Sequence, residues 1–230
     1  MQRQICGLLL GWLLTASGAN AQTVERMTFL DGRQRTYLVH VPPQAAFGKR
    51  LPLVLVFHGG GGDAKGMEHL THFSDLADRK GFYVVYPNGV NRHWQDGRDF
   101  YKNGVNDIAF VNQILAEVSK SYSLDDRYIF ATGISNGGIF SHYVGAMLSD
   151  RIAAIAPVVG GISEPLAKQF APSSPISVFI LQGTEDPLVL YEGEMLQKPE
   201  VELSALRQQL SFGCIITRPI DCQKPLYCLM

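Results

Sequence analysis

The sequence predicts an α/β protein with a mostly parallel sheet and helices on both of its faces. Three observations carry this. Apolar runs without alternation, such as LPLVLVF and FYVVYP, read as strands buried on two sides. Between them lie segments whose apolar residues recur with helical period. Turn-forming stretches follow several runs directly, as in HGGGG, GISNGG and GTEDP. Strands alternating with helices build a parallel sheet through right-handed crossovers, so those strands all end on one edge. Functional sites of open α/β sheets lie along that edge, and the stretches just named should meet there.

Taken in order, the first residues stand apart from the fold. MQRQICGLLLGWLLTASGANAQ carries Arg3 in a short basic start, an apolar run from Ile5 to Leu14, and small residues at Ala19 and Ala21. This reads as a secretory leader over 1–21, cleaved after Ala21. Its apolar run is too short for stable membrane insertion, and an uncleaved anchor is the alternative. MTFLDG and RTYLVHVP form an antiparallel hairpin turned at Asp31-Gly32. LPLVLVF is a strand running into glycines. Asp63 then caps a helix that presents Met67, Leu70, Phe73 and Leu76 on one face. FYVVYPN is the next strand, followed by the long loop GVNRHWQDGRDFYKNGV. Asn106 caps a helix that turns Ile108, Val111, Leu115 and Val118 inward. RYIFATGIS is a strand, and Ile139, Phe140, Tyr143, Val144, Met147 and Leu148 mark the helix after it. IAAIAPVVG and ISVFILQG are two further strands, and VELSALRQQL is a last helix.

A chain of 230 residues is long enough for one domain with a full core. Its net charge of −1 gives no electrostatic case for nucleic acid or an anionic membrane as a partner. No cysteine occurs between Gln22 and Gly213, whereas Cys214, Cys222 and Cys228 crowd the end. The body was not built around disulfides, and the odd count leaves one of the last three thiols free or paired outside the chain.

Gly133-Ile134-Ser135-Asn136-Gly137 fits G-x-S-x-G, and it lies between a strand and a helix. A serine on such a tight turn points its hydroxyl off the sheet, and its neighbours must be small because strand and helix crowd there. Ser135 is therefore the candidate nucleophile, with a simple helix cap as the alternative. The loop His58-Gly59-Gly60-Gly61-Gly62 can aim a backbone N–H at a developing oxyanion, because glycine allows close approach. Gly60 is the first choice for that donor and Gly61 the second; a plain glycine turn is the alternative. The N–H of Asn136 would be the partner donor. His58 itself reads as structural. Asp186 lies beyond a later strand and suits the acid that orients a catalytic histidine. Glu185 comes one residue earlier, so its side chain should point elsewhere, and a surface Asp-Pro turn is the alternative for Asp186.

These residues, with the motifs LVLVFHGGGG, GFYVVYPNG, WQDGR, GVNDIAFV, ATGISNGG, SDRIAAIAPVVG and LQGTEDPLV, resemble the α/β-hydrolase esterases of the polyhydroxybutyrate depolymerase and feruloyl esterase group. The similarity runs from about Arg35 to Gly213. It implies an α/β-hydrolase fold and a secreted carboxylic-ester hydrolase, acting on a polyester or a plant-cell-wall ester without cofactor or metal. It implies Ser135 as nucleophile and Asp186 as acid, and it suggests Trp94 and Asp107 near the substrate pocket. Asp107 can also serve as a first-turn acid on the helix dipole, and Trp94 can simply pack the long loop. A serine peptidase and a non-catalytic binding protein on the same fold stay open.

The resembled family places its histidine after the acid, beyond one more strand, in a segment resembling GGHxWPG. Here the six histidines, His40, His58, His69, His72, His93 and His142, all precede Asp186. His142 lies seven residues past Ser135, about 10 Å up the helix. His93 falls in a mobile loop with no acid to orient it. None is expected to stand in. From Ile215 the text IITRPIDCQKPLYCLM has no periodicity and matches nothing in the resemblance. A shifted frame or early stop after about Cys214 is expected, with a divergent natural tail as the alternative. The domain plan is then an incomplete hydrolase domain over 22–214, lacking its last strand and helix, and an atypical tail over 215–230. The strand ISVFIL should be left as a bare edge.

Overall fold

A hairpin opens the described part of the chain. Strand β1 (Gln22–Leu30) pairs antiparallel with β2 (Arg33–Val41). Asp31 and Gly32 between them take φ of 51° and 72°, as a type I′ turn needs. The computed structural model describes residues 21–98, 104–169, 172–186, 189, 191 and 215–217. The expected leader, apart from Ala21, lies outside these, as do the helix VELSALRQQL and most of the tail.

After the hairpin, a 3-10 turn (Pro43–Phe47) leads into β3 (Leu51–Phe57). Helices α1 (Ala64–Thr71) and α2 (Phe73–Lys80) come next, then β4 (Tyr83–Pro87). Helix α3 (Asp107–Ser121) is followed by β5 (Leu124–Ile134) and α4 (Asn136–Met147). β6 (Ala154–Val158), α5 (Glu164–Gln169), β7 (Ser177–Ile180) and β8 (Ile215–Thr217) complete the order. The sheet runs β1-β2-β4-β3-β5-β6-β7-β8. β4, β3, β5, β6 and β7 are mutually parallel, and β1, β2 and β8 are antiparallel to their neighbours.

Strand alternation explains both covered faces. Leu51, Leu53, Leu55 and Phe57 of β3 join Tyr83 and Val85 of β4 in a cluster that packs Phe110, Ile114 and Leu115 of α3 and Phe140 and Val144 of α4. Val56, Val84 and Tyr86 point the other way, against Ala64 and Met67 of α1 and Ala77 of α2. Asp63 caps α1 by accepting from the Gly66 N–H at 2.8 Å, and Asn106 caps α3 by accepting from the Ala109 N–H at 2.9 Å.

Three expectations are corrected. The single helix after Asp63 is two, because His72 adopts a left-handed φ of 51° between them. Leu70, within α1, is exposed rather than part of the buried stripe. Met147, at the end of α4, also faces solvent. The β7 edge is not bare: β8 lies antiparallel along it, pairing Phe179 with Ile216.

Candidate active site

Ser135 stands between β5 and α4 with φ 54° and ψ −119°. A non-glycine residue adopts such a conformation only where its surroundings impose it. They do so here from both sides. The Ser135 N–H donates to the Val158 carbonyl at 3.0 Å, and the Ile139 N–H donates to the Ser135 carbonyl at 2.9 Å. The flanking glycines have no room for a side chain: a Cβ on Gly133 would sit 2.5 Å from the Gly137 carbonyl, and one on Gly137 would strike the Phe57 and His58 carbonyls. Ser135 is half-buried, and its hydroxyl makes no hydrogen bond among the described residues. This is the strand-to-helix elbow that presents a serine at the end of a sheet.

The glycine loop after β3 lies against this elbow. A Cβ on Gly59 would stand 3.7 Å from the Ser135 Cβ, and one on Gly60 would stand 3.8 Å from the Asn136 Cβ. Asn136 is the first residue of α4, where main-chain N–H groups have no helical acceptor. The N–H of Gly61, the alternative donor, donates to the Arg92 carbonyl at 2.9 Å. Gly60 makes no such bond among the described residues.

His58 holds the loop from below. One ring nitrogen, Nδ1, donates to the Gly59 carbonyl at 2.8 Å, and Nε2 accepts from the Gly89 N–H at 3.0 Å. That arrangement fixes the neutral tautomer, and burial pushes its pKa below the ordinary histidine value.

Trp94 and Asp107, expected near the pocket from the resemblance, are both buried. Trp94 is fully buried, stacked on Phe140 at 4.9 Å between ring centroids and donating its indole N–H to the His58 carbonyl at 2.9 Å. Asp107 is buried against Arg35 at 2.6 Å and accepts from the Gln95 N–H at 2.7 Å. Burial raises its pKa, and the Arg35 guanidinium and the Gln95 N–H draw it back. Both residues therefore brace the 94–98 segment beneath the elbow.

Asp186 follows β7 on the same sheet edge. The Ser135 N–H reaches Val158, at the end of β6, and the Val159 N–H donates to the Leu181 carbonyl, just past β7, at 2.8 Å. Asp186 is half-buried and accepts from the Val189 N–H at 2.8 Å; Glu185 is exposed.

The histidines are placed as follows. His40 bonds Thr23 and Asp78, and His142 is buried in α4. His93 follows a tight turn. Asn91 and Arg92 take φ of 51° and 62° in a tight turn closed by a Val90–His93 bridge. Its Nδ1 donates to the Asn91 carbonyl at 3.0 Å, and its Nε2 lies 3.1 Å from where a Gly60 Cβ would be. Sequence reasoning also passed over Asp96 and Arg98, whose buried ion pair of 2.5 Å lies under Asn136. The signal was the charged pair inside the motif WQDGR.

Sheet order, elbow and facing glycine loop define an α/β-hydrolase. The profile of the family described as "Esterase PHB depolymerase" matches residues 35–193, and the chain belongs to that family. The chain is 32% identical over 179 residues to NocK of Nocardia uniformis subsp. tsuyamanensis, named as an esterase, covering 76% of this chain and 52% of that protein. It is 30% identical over 155 residues to a bifunctional acetylxylan esterase/xylanase of Neocallimastix patriciarum, covering 67% of this chain and 22% of that protein. Feruloyl esterase B of Piromyces equi is 27% identical over 169 residues, with 71% of this chain and 31% of that protein covered. The chain thus spans about half or less of the length of these three relatives. Among solved structures, a thermostable esterase superposes with a TM-score of 0.59 at 19% identity, covering 74% of this chain and 48% of that one. A ferulic acid esterase gives 0.53 at 21% identity, covering 63% and 61%. At such identities the likeness speaks for the fold.

Proposed function

We propose that this chain carries the nucleophile and oxyanion hole of an exported carboxylic-ester hydrolase. The observation that carries the reading is the φ of 54° at Ser135, on an elbow facing the Gly59–Gly60 turn. In this reading the Ser135 Oγ attacks the ester carbonyl carbon. The carbonyl oxygen takes up negative charge between the N–H groups of Gly60 and Asn136. The tetrahedral intermediate then collapses as the C–O bond to the alcohol breaks, the proton lost by the Ser135 hydroxyl reaching the departing alcohol through solvent. Water next attacks the acyl carbon, the ester bond to Oγ breaks, and the water's proton restores the Ser135 hydroxyl as the acid leaves.

Asp186 is the acid that would orient an imidazole between itself and Ser135. No histidine follows Asp186 within the 230 residues. His58 is committed at both nitrogens, and His142 is buried. Acting without an imidazole, Ser135 would be left with the oxyanion hole and substrate binding, worth about 10³–10⁴ over uncatalysed hydrolysis. The names of the relatives point to acetyl or feruloyl esters of plant cell walls, and the family name to a polyester, as the substrate class. Export rests on the leader; no helix among the described residues is long and apolar enough to cross a membrane.

Hydrolysis of a short-chain p-nitrophenyl ester tests this reading. Slow release of p-nitrophenol, lost in Ser135→Ala, is expected. Release that survives Ser135→Ala would refute it.

A further inference from the structure

The buried charge pair beneath the elbow has no part in the steps above. Asp96 and Arg98 are both buried, with 0% and 2% of their surface exposed. Arg98 Nε donates to both Asp96 carboxylate oxygens at 3.0 Å, and Nη2 donates to Oδ2 at 2.5 Å. The same Oδ2 accepts from the Asn136 side-chain amide at 2.6 Å. Asn136 Oδ1 in turn accepts from the Trp94 N–H at 2.8 Å. From Trp94 the line continues through the indole N–H to the His58 carbonyl, and His58 Nδ1 bonds Gly59. An unbroken run of hydrogen bonds therefore links Arg98 to both loops that carry the candidate oxyanion donors.

A buried ion pair gains little stability over apolar packing, so its presence calls for another account. A lone carboxylate there would oppose a developing oxyanion; Arg98 cancels that charge and leaves Asp96 as a fixed acceptor. We propose that Asp96, held by Arg98, is a positioning residue. It locks the Asn136 side chain, so that the Asn136 main-chain N–H and the Gly60 N–H keep the spacing that one oxyanion requires. The proposal rests on the reading of Ser135 as nucleophile.

The test is acylation of the 230-residue protein by p-nitrophenyl acetate, followed by intact mass, with Ser135→Ala as blank. Asp96→Asn and Asn136→Ala are compared with wild type and with their double mutant, each checked for cooperative thermal unfolding. Misplacing a catalytic donor by about an ångström costs on the order of a hundredfold. Each single variant should lower the saturating acylation rate by about tenfold to a hundredfold. The half-saturating ester concentration should change by less than about twofold, and the double mutant should lose no more than the worse single, because both act on one donor. A folded Asp96→Asn that acylates at the wild-type rate would overturn the proposal. So would an effect confined to half-saturation, or losses that multiply in the double mutant. Should Asp96→Asn fail to fold, a wild-type rate in Asn136→Ala overturns it equally. If wild type does not acylate at Ser135 while Asp96 variants unfold like it, the nucleophile reading fails first and takes the proposal with it.

Discussion

Ser135 holds a positive-φ backbone that its own β-carbon disfavours by about 1–3 kcal/mol, and the Phe57 and His58 carbonyls leave Gly137 no room for a side chain. Gly137→Ala should therefore cost about 1–3 kcal/mol of stability by overpacking and should move the serine off the glycine loop. Thermal unfolding of the variant checks the first effect, and loss of Ser135 acylation the second. A second residue-scale prediction concerns His142. Burial lowers its pKa from 6.5 to about 4, and its Nε2 has no hydrogen-bond partner among the described residues. The unfolded chain takes up this proton below pH 6.5, whereas the folded one waits until about pH 4. Stability is thus fully present above pH 6.5 and falls as pH drops towards 4, by about 3 kcal/mol from this group. Denaturant unfolding at pH 7 and pH 5 should give a smaller acid loss in His142→Leu than in wild type. An equal loss in both would contradict the assignment.

At the scale of elements, the Arg35–Asp107 pair ties β2 to the start of α3, and Asp107 carries the tie on to Gln95. Arg35→Met strands a buried carboxylate and should cost about 3–5 kcal/mol, part of which Asp107→Leu should restore in the double mutant. Denaturant midpoints of the three proteins test this. The two helix caps, the hairpin turn and the elbow were legible in the sequence because each rests on a local rule. The break at His72 was not, because a left-handed residue leaves the apolar spacing on each side intact. The loop over 89–98 was opaque for another reason. Its order comes from partners far along the chain, Asp107 for Gln95, Asn136 for Trp94 and Gly61 for Arg92, and no local spacing announces them.

Across the whole molecule, parallel strands β3, β5, β6 and β7 deliver the glycine loop, Ser135, Val158 and the Asp186 turn to one edge, as crossover handedness requires. That convergence was legible from the sequence, since it follows from the order of strands alone. The depth of Trp94 and Asp107 was not, since packing beneath a site and lining it demand the same residue types. The central claim is that Ser135 is the reactive group of this edge. Its most direct test is covalent labelling of the 230-residue protein with a serine-directed fluorophosphonate, followed by peptide mapping. The account predicts one slowly formed adduct, on Ser135, absent in Ser135→Ala and slowed in Gly137→Ala. An adduct elsewhere with Ser135 untouched, in protein that unfolds cooperatively, would contradict it.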